Sequence, residues 1–190
     1  MSAEVAFAAF TAVVAIASVA VAWMTVRAGN MQTGFELARA LYERLTSADV
    51  TMARKHLETY RLGPHPTQEA TRAVVEHYYI LLWAFEQVFV GRESLLRRRR
   101  ANGTKPALTY LDDSIRWHVA HWVTVWPELR LRIVENFGLA FDDYDSVQGL
   151  CNLADRVLGP TAAVADVRRQ IEHELATTGH WPHLPNARSE

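Results

Sequence analysis

The sequence predicts an all-α protein with one N-terminal transmembrane helix followed by a cytoplasmic bundle of about six to seven helices. Two observations predict this class. An apolar segment near the N-terminus is long enough to span a bilayer, and the remaining chain repeats its apolar residues every three or four positions. No stretch alternates apolar and polar residues between turn signals, as strands do. We therefore expect helices throughout.

The apolar segment from Val5 to Val26 contains no charged residue and only three polar ones. About 20 such residues span the roughly 30 Å of hydrocarbon in a bilayer. A cleaved signal peptide would have a shorter apolar core after a basic start, whereas only Glu4 precedes this core. We therefore expect a retained anchor over residues 1–28, a helical domain over 29–176 and a flexible tail over 177–190.

Basic residues follow the segment, beginning with Arg27 and continuing with Arg39 and Arg44, and none precedes it. Positive charge flanks membrane helices on the cytoplasmic side. The chain is therefore predicted to be a single-pass protein of the inner (plasma) membrane, with its N-terminus outside and its domain in the cytoplasm. Its one cysteine, Cys151, fits a reducing compartment.

Small residues form a stripe inside the predicted span at alternating steps of three and four. Small side chains let membrane helices pack closely. The sequence thus suggests self-association through the transmembrane helix, with the lipid bilayer as its other partner. The stripe consists of Ala8, Thr11, Ala15, Ser18, Ala22 and Thr25.

Several signals predict helix ends in the domain. Pro64 and Pro66 end one helix, and Thr67 is expected to cap the next, which forms the core from about Gln68 to Val90. Gly159 is expected to end the most amphipathic helix of the chain.

Two further signals predict helix starts. Thr109 with Asp112 three residues later resembles a capping box. Pro127 suits the first turn of another helix, so two helices are expected to meet at Trp126.

Two sets of residues are candidate metal ligands. His118 and His121 lie one helical turn apart, and Asp112 or Asp113 could add an oxygen ligand. The chain lacks the H-E-x-x-H arrangement, and histidines among tryptophans more often fill a core or an interface. No metal or other cofactor is therefore predicted, and these four residues stay candidates.

A cluster of carboxylates, Asp142, Asp143 and Asp145, precedes the amphipathic helix. It fails the calcium-loop pattern because Val147 stands where a third oxygen donor is needed. We expect these carboxylates to cap the helix that follows.

The densest basic patch comprises Arg97, Arg98, Arg99 and Arg100, with Arg92 and Lys105 nearby. Three interpretations are open. The patch could contact anionic lipid headgroups, it could bind phosphate, or it could be a solvated helix end whose cations complement the helix dipole.

The charge balance and the motifs that the sequence lacks reduce the classes of function to consider. The formal net charge is −1, so nucleic-acid binding is not expected. The sequence has no phosphate-binding glycine loop and no nucleophile elbow, and Cys151 lies on an apolar stripe typical of a packed thiol.

The chain resembles uncharacterised membrane-anchored helical proteins of bacteria at Phe85-Glu86 with Val88, and then at Trp122, Trp126-Pro127, Leu129 and Arg132. The resemblance implies the same architecture and a bacterial origin, and no activity.

We therefore expect a membrane-tethered interaction or regulatory module with an unknown protein partner and no evident catalysis. One alternative is a metal-binding protein or enzyme that uses His118 and His121. Another is a membrane-acting stress or defence effector.

Overall fold

The computed structural model describes the backbone of residues 3–64, 66–102, 104–137 and 143–178, and the side chains of 16–64, 66–97, 104–137 and 143–173. These residues form helices joined by short connections and contain no strand, which confirms the all-α class. Their six helices are α1 (Ala3–Leu45), α2 (Ala48–Leu62), α3 (Gln68–Asn102), α4 (Lys105–Phe137), α5 (Tyr144–Leu158) and α6 (Ala162–Thr178).

The two long helices α3 and α4 form an antiparallel pair at the centre of the bundle. Arg92 of α3 pairs with Asp112 near the start of α4, and Tyr78 of α3 contacts Trp126 in the second half of α4. Both helices bury apolar residues along their length, from Val74 to Leu95 in α3 and from Ala107 to Ile133 in α4. The pair therefore contributes most of the core against which the other helices pack.

On one side of this pair, α1 and α2 follow one another in the direction opposite to α3. The end of α1 lies beside the second half of α3, where Arg44 Nε donates a hydrogen bond to Gln87 at 2.9 Å. Further along the chain, the Tyr60 hydroxyl of α2 lies 2.9 Å from the Thr71 hydroxyl at the start of α3. A turn at Thr46 and Ser47 separates the two helices.

On the other side, α5 runs parallel to α3 and α6 returns along α5. The Ser146 hydroxyl donates to Glu86 of α3 at 3.4 Å. Later in α5, the Arg156 carbonyl accepts a hydrogen bond from Arg92, which is also later in α3. Gly159 ends α5 with φ at +79°, as predicted, and its left-handed backbone is one that glycine adopts readily.

The predicted break at Trp126 is wrong, because α4 continues through Pro127 to Phe137. Proline removes one backbone donor from a helix interior. Trp122, Trp126 and Leu129 nevertheless stay buried on a single face across this point. Tertiary packing of that face outweighs the local cost of the proline, so the bundle has fewer and longer helices than expected.

The predicted start at Thr109 is also wrong. Helix α4 begins at Lys105, Thr109 lies exposed within it, and Asp112 pairs with Arg92 and makes no cap. By contrast, the Thr67 prediction is confirmed, since its hydroxyl accepts a hydrogen bond from the Ala70 amide at 3.2 Å. Helix α6 extends to Thr178, and the rest of the predicted tail lies outside the described residues.

Asp143 belongs to a buried polar network and does not cap α5 with its side chain. Its two carboxylate oxygens accept hydrogen bonds from Arg130 at 2.9 and 3.0 Å, and the Tyr78 hydroxyl donates to it at 2.5 Å. Trp126 Nε1 in turn donates to the Tyr78 oxygen at 2.8 Å. This network corrects the capping prediction for Asp143, while Asp142 lies outside the described residues and Asp145 is exposed.

The network also changes the acidity of the tyrosine. Complete burial raises the pKa of Tyr78 well above its usual 10, and the negative charge of Asp143 raises it further. Tyr78 therefore stays protonated and donates to the carboxylate. Because Arg130 and Asp143 are almost fully buried, removing either one would cost the other a close opposite charge.

We predict that Asp143→Ala lowers the free energy of unfolding by about 3–5 kcal/mol, since it leaves the Arg130 guanidinium buried without its carboxylate. Chemical denaturation of the full chain in detergent, followed by tryptophan fluorescence, measures this. Asp145→Ala is the matched control because this neighbouring carboxylate is exposed. Equal losses in the two variants would contradict the proposed role of the network.

Candidate functional site

The N-terminal part of α1 stands outside the bundle. Every described side chain from Ile16 to Gly29 is exposed, including Val19 at 70% and Trp23 at 58%. Among the side chains of α1 that are described, from Ile16 onward, burial begins at Gly34 and continues with Ala38 and Leu45. We call residues 16–29 the apolar stretch. Since the bundle leaves it uncovered, the fold does not account for its apolar character.

No helix in the described part of the chain is both long enough and apolar enough to cross a membrane. The predicted span, Val5–Val26, lies partly outside the described residues, because described side chains begin at Ile16. The anchor therefore stays a prediction.

The polar groups of the apolar stretch have local partners. The Thr25 hydroxyl donates to the Val21 carbonyl at 2.9 Å, so it needs no water. The Arg27 guanidinium lies over the Trp23 ring, 5.2 Å from its centre. A tryptophan and an arginine at the end of an apolar helix suit the boundary between hydrocarbon and water.

The predicted small-residue stripe falls on this exposed helix. Ser18, Ala22 and Thr25 lie on the apolar stretch and are exposed. The side chains of Ala8, Thr11 and Ala15 lie outside the described residues. Self-association through this stripe stays a prediction.

The α3–α4 turn brings the basic patch to the place where α1 leaves the bundle. Gly34 of α1 packs so closely on this turn that a Cβ atom there would lie 3.0 Å from Thr104 Cγ2. The Thr104 hydroxyl donates to the Leu95 carbonyl at 3.0 Å, and Phe35, which follows Gly34, contacts Tyr110 with ring centres 6.1 Å apart. These contacts fix the turn beside α1.

We name Arg97–Arg100, in the last turns of α3, together with Lys105, the first residue of α4, the basic corner. Arg97 and Lys105 are exposed, and the side chains of Arg98, Arg99 and Arg100 lie outside the described residues. Arg92 does not belong to it, because it is buried and makes two hydrogen bonds to Asp112, at 2.7 and 2.8 Å.

The four candidate metal ligands are not brought together. Asp112 is held by Arg92, and Asp113 is exposed with its nearest cation, Arg116, 4.0 Å away. His121 Nε2 lies 2.6 Å from a carboxylate oxygen of Glu58 on α2. The described residues contain no group of three His, Cys, Asp or Glu side chains placed to share one ion.

His118 and His121 instead form part of the α2–α4 interface. The exposed Trp117 ring stacks on His121 and meets His118 edge-on, with ring centres 5.3 and 5.1 Å apart. Partial burial lowers the pKa of His118 below 6.5, and electrostatic interactions with Arg54 and His121 lower it further. His118 is therefore neutral at neutral pH.

Sequence reasoning missed Glu58, which joins this interface from α2. It accepts hydrogen bonds from Arg61 and contacts His121. Partial burial opposes its ionisation, but these contacts outweigh burial and lower its pKa below 4.5. The i, i+3 spacing of Glu58 and Arg61 was a visible signal, whereas its pairing with α4 depended on the fold.

The lone cysteine is a packed thiol, as predicted. Cys151 is fully buried on α5, and burial raises its pKa to about 11. At neutral pH it is protonated and shielded from solvent, which excludes a thiolate nucleophile in this conformation.

An open groove of about 490 Å³ runs along α3 between α1 and α5. It is lined by Trp83, Glu86, Gln87, Val90 and Gly91, and Trp83 is 52% exposed. Tryptophan is enriched where proteins bind one another. The bundle thus exposes two tryptophans, Trp83 and Trp117, on different helices.

We predict that Gly34→Leu lowers the free energy of unfolding by about 1–3 kcal/mol, because the new side chain would collide with Thr104 and Ala107 and push α1 from the corner. Denaturation of the full chain in detergent measures this. Gly29→Leu is the matched control, since nothing lies within 4 Å of a Cβ atom there. Similar destabilisation by both would show that Gly34 does not seat α1.

The bundle is also expected to lose stability as the pH falls below 6.5. His118 has a lower pKa in the folded state than in the unfolded chain, so protons favour unfolding between those two values. Denaturation at a series of pH values measures this loss, and His118→Gln should reduce it. His173→Gln, on the exposed side of α6, is the control. An unchanged pH profile in His118→Gln would refute this role.

Comparison of the chain with protein-family models, with curated proteins and with solved structures found no match. The resemblance to membrane-anchored helical proteins of bacteria therefore stays a prediction. What the chain does must be inferred from its own contacts.

Proposed function

We propose that the chain is a membrane-tethered interaction or regulatory module. In this proposal residues 1–28 anchor it in the inner (plasma) membrane of a bacterium, and the helical bundle lies in the cytoplasm. The carrying observation is the apolar stretch, whose side chains from Ile16 to Val26 stay exposed while the bundle buries a complete core elsewhere. Exposure of this apolar surface to water costs free energy, and a bilayer would cover it.

Three features support the anchor and its orientation. The segment from Val5 to Val26 is uncharged, and it continues as one helix into the bundle. Trp23 and Arg27 stand where an interfacial pair is expected, and basic residues follow on the bundle side. A rigid helix of this kind would hold the bundle close to the membrane surface.

Two features support the interaction role. Tryptophans are exposed, and polar side chains that could take part in catalysis instead make contacts within the bundle. Trp83 and Trp117 offer large apolar surfaces to a partner. Three of the candidate carboxylates and histidines, Asp112, Asp143 and His121, are engaged in contacts between elements of the bundle. A surface of this kind binds a protein partner more readily than it performs a reaction.

The test is fractionation of cells that express the full chain with a C-terminal tag. We expect wild type to stay in carbonate-washed membranes and its tag to be protected from protease in sealed, right-side-out cells. Ile16→Arg with Val19→Arg should release it, because each arginine near the centre of a span costs about 2.5–3.5 kcal/mol.

Met52→Arg is the matched control for this test, since Met52 is an exposed apolar residue of α2. It should leave the protein in the membrane. Wild type in the soluble fraction would overturn the anchor, and a cleaved tag on a membrane-bound chain would overturn the orientation.

A further inference from the structure

The basic corner lies at the level at which α1 enters the bundle. Gly34 contacts Thr104 and Ala107, so this level lies eight residues beyond Val26, the end of the predicted span. At 1.5 Å per residue that distance is about 12 Å along the helix axis. The corner is therefore the part of the bundle nearest to the apolar stretch, whereas Gln68, at the other end of α3, lies about 50 Å away.

With α1 anchored as proposed, this distance places the corner near the lipid headgroups. A bilayer is about 40–45 Å thick with its headgroups and about 30 Å without them, so headgroups extend about 5–8 Å beyond the hydrocarbon. A corner about 12 Å from the end of the span lies just above them. The exposed side chains of Arg97 and Lys105 are long enough to reach the phosphates from there.

The sequence makes the corner basic, and its described side chains have no carboxylate partner among the described residues. Among the described residues, neither Arg97 nor Lys105 forms an ion pair. Nearby carboxylates are already engaged, since Asp112 pairs with Arg92 and Glu93 faces both Arg92 and Arg156. Arg98, Arg99 and Arg100 follow Arg97 in the sequence, which gives five basic residues within nine positions.

The helix dipole does not explain all of this charge. Cations at the end of α3 complement the negative end of that helix. Lys105, however, is the first residue of α4, where the dipole is positive and a cation is unfavourable. An anion outside the chain would explain why basic residues lie both at the end of α3 and at the start of α4.

We infer that the basic corner binds anionic phospholipid headgroups of the bilayer that holds α1. This inference rests on the proposed anchor. The anchor alone leaves the bundle free to turn about the axis of α1. A second contact through the corner holds the α3–α4 turn against the membrane and points the α2–α3 turn toward the cytoplasm.

The experiment uses the full chain reconstituted into vesicles of phosphatidylcholine alone, or with increasing phosphatidylglycerol up to about one third. A fluorophore at Thr109→Cys, exposed one turn from Lys105, reports contact with quencher-labelled headgroups. A fluorophore at Gln68→Cys is the distal control. Native Cys151 can remain, because its buried thiol has a pKa of about 11.

We expect phosphatidylglycerol to increase quenching at position 109 and not at position 68. Replacing Arg97–Arg100 by glutamine should raise the half-maximal phosphatidylglycerol fraction at least fivefold, since one charge near an anionic surface contributes about that factor. Replacing them by lysine should preserve the response, because anionic phosphatidylglycerol attracts the positive charge of lysine as well as that of arginine. About 1 M salt should abolish the response by screening.

Two results would overturn the inference. Equal quenching with and without phosphatidylglycerol would mean that anionic lipid is not recognised. Loss of the response on adding inorganic phosphate at constant ionic strength would mean that the corner binds small phosphates and not the membrane.

Failure of the anchor would look different. Carbonate washing of the same vesicles reports insertion of α1 independently of the fluorophore. A chain that washes off refutes the proposed function, whereas a chain that stays inserted with no lipid response at position 109 refutes only the role of the corner.

Discussion

The antiparallel pairing of α3 with α4 depends on buried polar contacts as well as on apolar packing. Arg92 holds Asp112 at one end, and Tyr78 joins Trp126 and Asp143 toward the other. Apolar surfaces of two long helices could slide by a turn at little cost, but each buried charge would then lose its partner. These contacts therefore set one register, and the docking of the other helices follows from it.

That register places the surfaces that matter for function. Because α3 and α4 turn back beside Gly34, their basic corner lies where α1 leaves the core. The apolar stretch of α1 then extends away from the bundle. An apolar helix and a cluster of cations at one end of a helical bundle form a surface suited to a membrane, and the exposed Trp83 and Trp117 lie on other parts of the bundle.

Local sequence signals predicted helix ends where backbone chemistry dominates. Thr67 and Gly159 were located correctly, because a hydroxyl cap and a left-handed glycine act within a few residues. Local signals gave wrong predictions at Pro127 and at Asp143. In both cases a distant packing partner outweighed the local preference, through the buried face of α4 and through Arg130.

The sequence by itself determined the all-α class, the exposed apolar helix at the N-terminus and the buried character of Cys151, because periodicity and composition act along one helix. Only the tertiary structure decided that Asp112 pairs with Arg92, that His121 contacts Glu58, and that the end of α3 with its run of arginines lies beside α1. These contacts join residues up to about 70 positions apart, as Gly34 and Thr104 illustrate. No local pattern encodes which helix faces meet, since that choice depends on the packing of the whole core.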